Sequence, residues 1–104
     1  MAVKLTADSF GHEVLEQNGL VAVDFFSDSC IPCKRMSPVI AQLEEERGDV
    51  KFAKLNINFD GEIAEKYGVT AVPTLIFFKN GAEKARLTGA QKKAAIVEVI
   101  DKIG

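Results

Sequence analysis

Apolar and polar positions along the chain change their period several times, and each change marks an element. Val3 to Leu5 is a short strand candidate. Asp8 stands where it can cap a helix whose apolar positions Phe10, Val14 and Leu15 share one side, with Asn18-Gly19 at its end. Leu20 to Ser27 (LVAVDFFS) is apolar at both parities and rich in β-branched and aromatic residues, the pattern of a strand buried on both faces. From Pro32 to Arg47 the period becomes helical, with Met36, Val39, Ile40 and Leu43 at i, i+3, i+4 and i+7. Pro32 suits the first turn, Pro38 lies inside the helix and predicts a kink, and Gly48 closes it.

Val50 to Ile57 (VKFAKLNI) reads as a second buried strand, and Asp60 to Tyr67 as a short helix ended by Gly68. Thr74 to Lys79, Asn80-Gly81 and Glu83 to Thr88 form a hairpin with a type I′ signal. Beyond Gly89, the residues Ile96, Val99, Ile100 and Ile103 make the stripe of an amphipathic helix. The order βαβαβαββα predicts an α/β three-layer sandwich. Strands joined through helices run parallel, and the closing hairpin adds an antiparallel edge.

Composition narrows the class. The 104 residues are 47% hydrophobic and 27% charged, values of an ordinary globular domain, and no repeat, linker or low-complexity tract divides them. A single domain over residues 1–104 is expected, long enough to build a core without disulfide staples. The formal charge of −2, from 13 Lys+Arg against 15 Asp+Glu, gives no basic excess for a nucleic-acid partner. The longest apolar run, Leu20 to Phe26, is interrupted by Asp24 and too short to span a bilayer. The amino-terminal segment lacks the apolar region of a secretory signal. A cytoplasmic monomer without membrane contact is expected. Two cysteines are too few for a disulfide scaffold, and there is no tryptophan.

Those cysteines form Cys30-Ile-Pro-Cys33, which follows a buried strand and opens a helix. Helix N-terminal N–H groups and the positive dipole end favour an anion, so the thiolate of Cys30, the reactive form of a cysteine, is stabilised there. A disulfide between the two would close a loop of about four residues, for which chain entropy gives roughly 1.9 kcal/mol. Such a bridge is a weak staple and a usable redox switch. A zinc site needs four ligands. The chain offers this pair and His12 on another helix, so a metal would have to be shared between two chains. His12 is otherwise read as a surface residue without a role, and no metal or cofactor is expected.

The segments VDFFSDSCIPCK with Pro38 downstream, FAKLNI, KYGVTAVPTLIFFKNG and Gly89-Ala90 resemble the thioredoxin family from about Val3 to Ile103. The resemblance implies a thioredoxin-like fold with a central mixed sheet of five strands and helices on both faces. It implies Cys30 as the attacking cysteine, Cys33 as the resolving one, and a cis Val72–Pro73 bond facing them. Position alone does not decide that isomer, because a trans proline also fits directly before a strand. The implied substrate contacts are Ile31, Pro32, Val72, Pro73, Thr74, Gly89 and Ala90, with the Val72 backbone free to pair with an extended peptide.

Asp24 carries its own argument. A carboxylate inside a buried strand is costly, and desolvation raises its pKa towards neutrality, which suits a proton acceptor and donor. By resemblance it would assist deprotonation of Cys33, with Lys54 as its partner. A satisfied core ion pair is the alternative for Asp24, and a solvated strand end for Lys54.

Four positions depart from the family pattern. Ser29 and Phe26 stand where tryptophans are usual, Ile31 replaces the glycine after the first cysteine, and Asn58 replaces an acidic residue. The implied activity is reduction of protein disulfides through a reversible Cys30–Cys33 disulfide. The implied partners are disulfide-containing target proteins and a thioredoxin-reductase-type recycling enzyme. A dedicated electron-transfer partner of one reductase or peroxidase is the alternative reading, and a redox-inactive or metal-bridged binding module a further one.

Overall fold

A computed structural model describes residues 2–103. Its strands are β1 (Val3–Leu5), β2 (Leu20–Phe26), β3 (Val50–Asn56), β4 (Thr74–Lys79) and β5 (Ala82–Thr88). A π-helix covers Gly11–Leu15, and the α-helices are α1 (Ile31–Glu46), α2 (Gly61–Lys66) and α3 (Lys93–Ile103). The sheet order is β1-β3-β2-β4-β5, with β1, β3 and β2 parallel and β4 and β5 antiparallel to their neighbours.

The central place of β2 explains its composition. Val21, Val23 and Phe25 pack with Phe10, Val14 and Ala64, on the face covered by the π-helix and α2. Leu20 and Ala22 pack with Met36, Ile40, Leu43, Ile96 and Ile100 of α1 and α3 on the other. Both parities are therefore apolar because both faces are covered. Asp24 continues the parity of Leu20 and Ala22, so it lies on the α1 face at the carboxyl end of the strand.

The first helix departs from the pattern reading. Asp8 makes no capping bond, and the turn is π-helical, with the Glu16 N–H donating to the Gly11 carbonyl at 3.0 Å. Thr6 and Ser9 organise the approach instead: the Thr6 N–H donates to Ser9 Oγ at 3.0 Å and the Ser9 N–H to Thr6 Oγ1 at 3.2 Å. Those two hydroxyls occupy the role assigned to Asp8. Asp60 is the N-cap residue of α2, but its side chain makes no capping bond there; its carboxylate accepts the Ala7 N–H at 2.9 Å, tying two loops together.

α1 continues through Pro38 to Glu46, and its C-cap is Arg47, whose N–H bonds to the Leu43 carbonyl at 2.7 Å, one residue before Gly48. The hairpin turns on Asn80 (φ 54°) and Gly81 (φ 80°), the two positive φ values of a type I′ turn. Among the described residues, no helix is long and apolar enough to cross a membrane.

Candidate redox site

β2 delivers its carboxyl end to a three-residue turn, and the turn delivers Cys30 to the start of α1. The Cys30 N–H bonds back to the Ser27 carbonyl at 3.3 Å. Cys30 is the N-cap of α1 in extended conformation, and its sulfur accepts the Cys33 N–H at 3.1 Å. Pro32 occupies the first turn, where its missing N–H leaves no partner unsatisfied. The sulfurs of Cys30 and Cys33 are joined in a disulfide, both residues are buried, and Ile31 between them is 64% exposed. The bonded Cys30 sulfur marks the place of the thiolate of the reduced protein, so the N–H that faces it is a donor to that anion.

A second segment arrives at the same end of the sheet. Thr74 opens β4 opposite Phe25 of β2, which brings residues 72–74 to the end where the cysteine turn begins. The Val72–Pro73 peptide bond is cis. Pro73 and Thr74 are buried, Thr74 Oγ1 donates to the Ala71 carbonyl at 2.7 Å, and the Gly89 N–H donates to the Pro73 carbonyl at 2.8 Å. Gly89 (φ 88°) takes a conformation that costs a side-chain-bearing residue more, and Ala90 follows it. Among the described residues, Val72 enters no backbone hydrogen bond, so its N–H and carbonyl are uncommitted.

Behind the disulfide lies a cavity of about 150 Å³ lined by Asp24, Cys33, Ser37 and Lys54, among others. Asp24 is 6% exposed, and its Oδ1 has no hydrogen-bond partner among the described residues. Burial pushes its pKa from 3.8 up to about 6, against the opposing pull of the Lys54 charge. Lys54 is the residue opposite Asp24 in the β2–β3 register, and it acts on the carboxylate through charge alone, not through a hydrogen bond. The carboxyl is thus buried beside the cavity, with the Lys54 charge in its field but no hydrogen bond from that side chain.

The family profile named thioredoxin matches residues 1–102. The chain belongs to the thioredoxin family. It is 40% identical to the thioredoxin of Rickettsia felis over 103 residues, covering 98% of each chain. It is 39% identical to that of Chlamydia caviae over 101 residues, covering 97% of each. The thioredoxin of Mycobacterium bovis is 38% identical over 102 residues, which cover 97% of this chain and 88% of that one. With its Cys30–Cys33 pair, this member of the thioredoxin family is a dithiol–disulfide oxidoreductase. Thioredoxins act on disulfide substrates and are recycled by a reductase.

Among the described residues, no group of three or more His, Cys, Asp or Glu side chains is placed to hold a metal. His12 is exposed, its Nδ1 3.6 Å from Glu16. Pattern reading did not single out Asp28 or Ser37, both of which line the cavity with Cys33. Ser37 lies one turn beyond Cys33 on α1, so its helical spacing was the available signal. Asp28 offered none, because its partners are remote in sequence.

Proposed function

We propose that Cys30 is the attacking cysteine and Cys33 the resolving one in the reduction of protein disulfides. The observation that carries this is the place of Cys30 as N-cap of α1, with the Cys33 N–H directed at its sulfur. The thiolate of Cys30 attacks one sulfur of a target disulfide. A mixed disulfide forms, and the other target sulfur leaves as a thiolate. Asp24 then takes the proton of Cys33, whose thiolate attacks Cys30. The Cys30–Cys33 bond forms, the mixed disulfide breaks, and the second target thiolate leaves. Two electrons pass from the cysteine pair to the target, and the proton held by Asp24 is available to the departing thiolate. A carboxyl with pKa about 6 both accepts and returns a proton near neutral pH. Lys54 tunes this acid as its charge partner.

The target segment runs extended beside Val72, whose uncommitted backbone groups supply strand-type hydrogen bonds. Pro73 and Thr74 fix that backbone, while Ile31, Pro32, Gly89 and Ala90 form the rim. A reductase of the thioredoxin-reductase type restores the dithiol. The protein works as a cytoplasmic monomer and takes neither nucleic acid nor membrane as partner, in keeping with its charge of −2.

Turnover of a protein disulfide with dithiothreitol as electron donor tests the roles. Cys30→Ser abolishes turnover, and Cys33→Ser accumulates a mixed disulfide with the target. A Cys30→Ser protein as active as wild type overturns the assignment.

A further inference from the structure

The turn that carries Cys30 is held from the side by one carboxylate. Asp28 Oδ1 accepts Asn56 Nδ2 at 2.9 Å, and its Oδ2 accepts Asn58 Nδ2 at 3.4 Å. Asn56 Oδ1 in turn accepts the Asn58 backbone N–H at 2.9 Å, so the Asn56 amide is held at both ends and the two asparagines are tied together. Alongside, the Ile57 N–H bonds to the Phe26 carbonyl at 2.9 Å. Phe26 has no ring donor and Ser29 only a small exposed side chain. Among the described residues, Asp28 is therefore the side chain that links this turn to the end of β3 by hydrogen bonds.

A carboxylate in this turn works against a neighbouring thiolate by charge alone. Two amide donors engage its two oxygens and convert it into an anchor. What it anchors is the segment whose Ser27 carbonyl holds the Cys30 N–H, and hence the alignment of the Cys30 sulfur on the Cys33 N–H. That alignment is sensitive to displacement, because hydrogen bonds weaken steeply with angle.

We propose that Asp28, gripped by Asn56 and Asn58, is a positioning residue that keeps Cys30 at the N-cap of α1 and so sustains its thiolate. The proposal rests on the reading of Cys30 as the attacking thiolate. Asp28 and Asn58 are exposed, so the clamp adds little to global stability, and its effect is read at the sulfur.

The test follows alkylation of the reduced protein by iodoacetamide across pH, with the adduct located by mass spectrometry. Asn56→Ala/Asn58→Ala removes the clamp without changing charge. Its Cys30 alkylation at neutral pH falls about fivefold and the pH midpoint rises, while its urea unfolding midpoint barely moves. The exchange Asp28→Asn/Asn58→Asp restores a donor facing an acceptor across the same gap, and its rate stays within about twofold of wild type. Should Asn56→Ala disturb the end of β3, Asn58→Ala alone shows a smaller change in the same direction. An alanine variant with unchanged rate and midpoint, or an exchange variant as slow as the alanine variant, overturns the clamp. A Cys30→Ser protein in which Cys33 alkylates with the wild-type profile overturns the thiolate assignment instead.

Discussion

Asp24 is a carboxyl with a folded pKa of about 6 where 3.8 is ordinary, and burial is the cause. A raised carboxyl pKa means that the folded chain prefers the protonated form. Its contribution to stability is fully present below about pH 4 and is lost as pH rises through about 6. The gap corresponds to about 3 kcal/mol at neutral pH. Asp24→Asn should therefore be more stable than wild type by roughly 2–3 kcal/mol at about pH 7.5, with the advantage shrinking towards pH 4. Urea unfolding followed by far-ultraviolet circular dichroism measures this, since there is no tryptophan to report fluorescence. Equal stability of the two proteins at pH 7.5 would show that burial does not govern this group.

Asp24 was legible in the sequence because a charge inside an apolar run is a local anomaly. Lys54 was legible only by resemblance, and the structure adds that it acts at a distance. The Asp28 clamp was not legible. Asp28 and Asn58 are 30 positions apart, and no local pattern states which polar side chains meet across two loops.

The strands and α1 followed the hydrophobic pattern closely because burial on one or two faces sets that pattern directly. β4 spans Thr74–Lys79 as its residues suggest, and β2 loses only Ser27 from the expected run. The short π-helix did not follow it, because its start is set by the Thr6–Ser9 hydroxyl pair and not by the nearest acidic residue. The hairpin turn was announced by Asn80-Gly81, yet its tertiary constraint was not. A Cβ at Gly81 would sit 2.6 Å from the Leu15 carbonyl oxygen, backbone that belongs to the π-helix. Gly81→Ala therefore meets both a left-handed φ and a clash that cannot relax by side-chain motion. It should lower stability by about 2 kcal/mol or more, read from its urea midpoint. A loss under about 0.5 kcal/mol would mean that the turn moves freely away from the π-helix.

The disulfide sits at the edge of a framework that does not depend on it. Phe25, Phe77, Phe78, Leu43, Leu55, Ile96 and Ile100 are fully buried on the two faces of the sheet, and β2 pairs with both β3 and β4. A redox protein needs this separation, since it must stay folded in both states. The bridge closes a short loop, its two cysteines a sequence separation of 3 apart with only Ile31 and Pro32 between them. Chain entropy then gives the oxidised form an advantage of about 2 kcal/mol over the reduced one. Both forms should unfold in one cooperative step with the same dependence on urea, because the same surface is exposed in each. Parallel urea titrations with and without dithiothreitol measure the gap. A gap above about 4 kcal/mol, or a reduced form that unfolds in two steps, would make the bridge a structural staple. By the thermodynamic cycle that joins folding to disulfide formation, the same gap states how much more readily the pair closes in the folded chain. A gap of about 2 kcal/mol is a factor of roughly 30. A preference of that size favours closure after attack on a target and leaves the bridge open to a reductase.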